Sequence, residues 1–132
     1  MYRPISAILF ALGFCCTAPL YANDQTFCKE VQFQATNQTW AGHYYLQGVM
    51  EVGSELLLQD NGKFKWYLAV GSLDQYAEGT WWKNGNCIGL KALPKYKKHL
   101  EIFPTRLEIT DTHLTVTWLD GSQKGAYIRA TP

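Results

Sequence analysis

From Trp40 onward the chain alternates apolar and polar residues with a period of two. Phe64, Trp66, Leu68 and Val70 occupy every second position of "KFKWYLAV", and Leu114, Val116 and Trp118 do the same in "HLTVTWL". That period places successive side chains on opposite faces of an extended strand. The strand-like segments are short and are separated by turn compositions. "DNG" at Asp60 to Gly62 and "NGN" at Asn84 to Asn86 are hairpin turns, because Asn and Gly tolerate positive φ. "DGSQKG" turns the chain into a last strand, "AYIRA", and Pro104 marks a bulge or edge between "LEIF" and "RLEIT". No segment sustains a helical period, although 24–36 has room for a short helix or a first strand.

Seven or eight short strands with tight connections predict an all-β fold. The arrangement expected is an antiparallel up-and-down (meander) β-barrel of about eight strands. The inward set is Leu46, Leu56, Leu58, Phe64, Trp66, Leu68, Val70, Trp81, Ile88, Leu90, Leu100, Ile102, Leu107, Ile109, Leu114, Val116, Trp118 and Ile128. In "GSLDQYAEG" the alternation lapses, and these residues are expected to carry the chain over the barrel rim. Asp74 there would accept loop amides, or stand with Tyr76 and Glu78 at the barrel mouth.

The first 22 residues are read as a cleaved secretory signal. "MYRP" supplies a basic start, "ISAILFALGFCCTA" an apolar run too short to span a bilayer, and Ala22 a small residue for cleavage. Residues 23–132 then form a single β-barrel domain in the periplasm or outside the cell, with no stable membrane anchor. Cleavage removes Cys15 and Cys16 and leaves Cys28 and Cys87, which an oxidising compartment favours as a disulfide.

The chain carries 12 Lys and Arg against 11 Asp and Glu, and Arg3 departs with the signal. A balanced charge argues against electrostatic capture of nucleic acid. The basic stretch "KALPKYKKHL", with Lys91, Lys95, Lys97 and Lys98, is read as a solvated loop, with a docking patch for an acidic partner or an anionic membrane surface as the sharper alternative.

No catalytic or metal signature stands out. Glu51 with Glu55, His99 with Glu101 and His113 with Asp111 are pairs that lack the spacing of a known acid–base or metal motif. Ser54 and Ser72 follow glycines outside any nucleophile elbow. An enzyme is unsupported, and no cofactor or metal is expected.

The aromatic load is the feature that does call for a role. Tyr44–Tyr45, Trp66–Tyr67 and Trp81–Trp82 are adjacent pairs, and on a strand the two members of each pair face opposite ways. Tyr45, Tyr67 and Trp82 are expected on the outside or lining a groove. With Asp74 and Tyr76 they form the candidate binding set, since Tyr and Trp are enriched at protein-binding hot spots.

The segment Gly42 to Leu90 carries a Gly-x-Tyr opening strand, a leucine-rich strand, Asp-x-Gly-x-Phe, Gly-x-Leu-Asp, Glu-Gly-Thr-Trp and a Gly-Asn turn. In this it resembles small exported bacterial proteins with a lipocalin-like, calycin-type barrel. The resemblance implies a fold more than an activity. Two functions stay open: a non-catalytic binder of another macromolecule, inhibitor-like or immunity-like, and a carrier or sensor of a small apolar ligand.

Overall fold

The computed structural model describes residues 26–131. Eight strands follow one another: β1 Gly42–Gln47, β2 Val52–Leu58, β3 Lys63–Val70, β4 Leu73–Asn84, β5 Cys87–Ala92, β6 Pro104–Thr110, β7 His113–Trp118 and β8 Gln123–Arg129. Each pairs antiparallel with the next, and β8 pairs back onto β1, so the sheet closes into a barrel. The expected meander is the observed topology. Two hairpins fall at the turns the sequence marks, with Gly62 and Gly85 both at positive φ.

Where β6 begins, the register shifts between Pro104 and Arg106, so the proline does sit at a bulge. "LEIF", by contrast, is not a strand. A single helical turn, α1 (Pro94–Lys97), leads into an irregular stretch that reaches β6. The basic cluster therefore lies partly on a helix where a plain loop is expected. The stretch is held by one buried side chain: Gln75 Oε1 accepts from the amides of Glu101 (2.6 Å) and Ile102 (3.1 Å), and its Nε2 donates to the His99 carbonyl (3.1 Å). The side-chain amide supplies hydrogen bonds that a neighbouring strand otherwise would.

"GSLDQYAEG" also differs from expectation. Only Gly71 and Ser72 turn the chain, and β4 starts at Leu73. The alternation continues through Asp74 to Glu78, but its inward members are Gln75, Ala77 and Gly79, which are buried without being large and apolar. A Cβ at Gly79 would lie 1.9 Å from the Lys91 carbonyl oxygen, so β5 approaches too closely there for any side chain.

The interior is packed with Trp66, Trp81, Tyr44, Tyr127, Phe64 and a set of aliphatic side chains. Val70, Leu100, Ile102 and Ile109 flank this core, partly buried. Ile128 corrects the expected inward set. Tyr127 pairs with Leu46 and Leu114, which face inward, so Ile128 is turned outward beside Tyr45 and His113. A one-residue choice of parity decides the whole strand.

Tyr127 enters the core with its hydroxyl satisfied. Trp66 Nε1 donates to Tyr127 Oη (2.9 Å), Tyr127 donates to Ser54 Oγ (2.7 Å), and Ser54 donates to the Tyr67 carbonyl (2.6 Å). Burial pushes the Tyr127 phenol up to about 12. The neutral phenol is thus the folded form, and its stabilisation is present below the ordinary tyrosine value near 10. It is lost as pH rises from about 10 to about 12. Chemical denaturation across that window is expected to show a fall that is smaller by roughly 2–3 kcal/mol in Tyr127→Phe. An equal fall in the variant would remove Tyr127 as its cause.

Residues 26–34 run outside the barrel without regular structure, and a 3-10 helix, Ala35–Trp40, leads into β1. Arg129 on β8 fastens that helix. Its guanidinium donates to Thr39 O (2.9 Å) and Tyr44 Oη (2.7 Å) and lies over the rings of Trp40 and Tyr44.

Candidate functional site

Register across the first four strands aligns a row on the outer surface. Tyr45 on β1 is opposite Glu55 on β2, Glu55 is opposite Tyr67 on β3, and Tyr67 is opposite Tyr76 on β4. Ile128 extends the row onto β8. The three tyrosines are 38%, 41% and 41% exposed. Tyr96 of α1 meets Tyr76 edge-on at 5.6 Å and prolongs the aromatic band. At the other end His43 lies 4.7 Å from Tyr45, ring to ring, and its Nε2 is 2.8 Å from Glu55 Oε1.

Each carboxylate in the band holds an aromatic group. Tyr67 donates to Asp74 Oδ1 (3.1 Å), and Tyr76 donates to Glu78 Oε2 (2.7 Å). Asp74 therefore serves a neighbouring tyrosine and not the loop amides expected of it. The hydrogen bond to Asp74 raises the Tyr67 phenol above its ordinary value. Desolvation and then Glu78 push Tyr76 up to about 12. Both phenols stay protonated donors at neutral pH, and the carboxylates keep further lone pairs for a cationic partner.

Beside this ridge the next row is nearly bare. Gly53 pairs with Ala69, and Ala69 with Asp74. Nothing lies within 4 Å of a Cβ placed on Gly53, so the surface beside the tyrosine row is open there.

Trp82 is not part of this surface. It points outward from β4, as its parity requires, but it is only 6% exposed. The segment 28–30 covers it: Cys28 is bonded to Cys87, and Trp82 Nε1 donates to the Lys29 carbonyl (2.9 Å). Beneath, the indole lies on Gly89, where a Cβ would be 2.2 Å from the ring. Trp82, Cys28 and Cys87 form a second small core on the barrel exterior. The sequence held a signal for this. Asn84-Gly85-Asn86 closes a hairpin that sets Trp82 opposite Gly89, and Cys87 shares that outer face two residues away.

Trp66, Trp81 and Trp118 all turn inward and are buried, so their rings take up much of the barrel interior. Among the described residues no three His, Cys, Asp or Glu side chains converge on a common point, and no helix is long and apolar enough to cross a membrane. The histidine–carboxylate couples named from the sequence thus gain no third ligand. No protein-family model, curated protein or solved structure matches the chain.

Proposed function

We propose that the protein is an exported, non-catalytic β-barrel that binds another protein through its outward tyrosine surface, in the manner of an inhibitor or immunity protein. The observation that carries this reading is the cross-strand row Tyr45–Glu55–Tyr67–Tyr76, with half-exposed rings on a rigid sheet. Rings fixed by closed-barrel strands lose little conformational freedom on binding, which favours recognition. The carboxylates of Glu55, Asp74 and Glu78 among the rings suit a partner presenting Arg or Lys, which would gain ion pairing together with cation–π contact. The disulfide and the signal-like N-terminus support an oxidising compartment as the place where binding happens.

The test is capture from an envelope extract of the native cell with the wild-type protein and with Tyr67→Ala/Tyr76→Ala. The captured protein is expected to bind the variant about 30-fold or more weakly, as hot-spot losses of 2 kcal/mol or above require. Unfolding of the variant should move by about 1–3 kcal/mol, the loss of strand propensity and of the cross-strand ring pair, which leaves the barrel folded. Gly53→Thr provides a second arm: it places a side chain beside the tyrosines without a clash and should also weaken the partner's hold. Retention of the same partner by both variants would refute the surface.

A further inference from the structure

We propose that the slot between the end of β5 and the start of β6 is a binding site for an anionic amphiphile, a single apolar chain bearing a carboxylate. This is independent of the tyrosine surface, which lies on β1 to β4.

The slot follows from how the barrel wall is stitched. Only Cys87, Ile88 and Gly89 of β5 pair with β6, although β5 runs on to Ala92. The chain leaving β5 is diverted into α1 and the stretch fastened to Gln75, so Leu90 to Ala92 have no β6 partner. The gap is a groove of about 420 Å³, within the roughly 300–1,000 Å³ typical of small-molecule sites. It is nearly three times the roughly 150 Å³ apolar cavity that is known to accept benzene.

Its walls divide by chemistry. Leu90, Ala92, Leu100 and Phe103 form the apolar floor, and Trp82 and the Cys28 half of the disulfide form one side. Phe27 and Leu119 stand at the groove 56% and 43% exposed, an arrangement that leaves apolar surface in water when the groove is empty. Three lysines also line it: Lys29, Lys91 and Lys97. Lys91 reaches Glu30 at 3.4 Å, and that glutamate is the one carboxylate of the lining. Lys29 and Lys97 form no ion pair among the described residues. Two unneutralised ammonium groups beside an apolar trough match a ligand with an apolar body and a negative head. A neutral chain would leave the lysines unused, and a cationic one would be repelled.

The experiment is calorimetric titration of the purified, disulfide-bonded protein, stripped of co-purified lipid, with dodecanoate below its micelle concentration. 1-Dodecanol serves as the neutral control. Saturable one-to-one binding of dodecanoate is expected, with the alcohol about tenfold weaker. Lys29→Gln/Lys97→Gln should bring dodecanoate to the level of the alcohol and leave the alcohol unchanged. Leu119→Glu, at an exposed position, should weaken dodecanoate most, and Ala92→Leu, which fills the floor, should weaken both. Tyr67→Ala/Tyr76→Ala should have no effect. The proposal is overturned by the absence of saturable binding, by equal affinity for acid and alcohol, or by binding that survives both Leu119→Glu and the lysine pair.

Discussion

Trp82→Ala lowers the stability of the folded protein by about 3–5 kcal/mol, as much as the interior substitution Trp66→Ala. A residue on the outer face of a barrel strand would ordinarily cost almost nothing. Trp82 differs because it is enclosed on both sides, by Gly89 below and by the Cys28–Cys87 segment above. Removing the indole opens a void between two elements that cannot collapse together, since the disulfide fixes one and the β4–β5 ladder the other. It also takes one of two side-chain donors from the Lys29 carbonyl, leaving Asn84 Nδ2 at 3.1 Å. Denaturant unfolding of Trp82→Ala and Trp66→Ala side by side measures this. A change for Trp82 below about 1 kcal/mol, the range of an unremarkable surface site, would mean that the cover is loose.

Reduction of the Cys28–Cys87 bond costs roughly 4 kcal/mol in the chain-entropy model, because the link closes a loop of 59 residues. This is a large fraction of the 5–15 kcal/mol that typically holds a domain together. The structural effect is local before it is global. Residues 26–30 belong to no strand, and their other ties include Thr105 donating to the Thr26 carbonyl, Arg106 to Phe27 O (3.2 Å), Trp82 and Asn84 to Lys29 O, and Lys91 to Glu30 (3.4 Å). Reduced protein should therefore show a changed tryptophan environment at denaturant concentrations where the barrel is still folded. Oxidised and reduced samples followed by fluorescence and far-ultraviolet circular dichroism test both statements. Coincident curves within 1 kcal/mol would show that the non-covalent contacts alone hold the segment.

These two effects mark where sequence reading ended. Parity was legible wherever the inward residue was large: Phe64, Trp66 and Leu68 declare β3, and Leu114 and Val116 declare β7. It was obscured in the first half of β4, where the inward positions are Gln75, Ala77 and Gly79, and hydrophobicity gives no period. Gln75 is inside because it must bond three backbone groups of the stretch after α1, a demand set by a segment some 25 residues away. In β8 the aliphatic Ile128 was the natural inward choice, yet the phenol of Tyr127 is the group that Trp66 and Ser54 receive. The tyrosine surface was half legible. Tyr45 and Tyr67 followed from alternation, but their alignment with Glu55 and Tyr76 depended on ladder registers. Trp82 was correctly turned outward and then hidden by a segment whose path no periodicity encodes.

The ladder order has a consequence for how the chain reaches this state. Seven of the eight pairings join strands adjacent in sequence, and all their connections but that from β5 to β6, which carries α1, are short, so hairpins can zip progressively. The pairing of β1 with β8 joins the two ends of the sheet and has to wait until the final strand is available. A chain halted before Gln123 would leave β1 and β7 as open edges, each a template for a strand from another molecule. Completion of the last seven-residue strand is thus the step that separates a self-contained cylinder from an aggregation-prone intermediate.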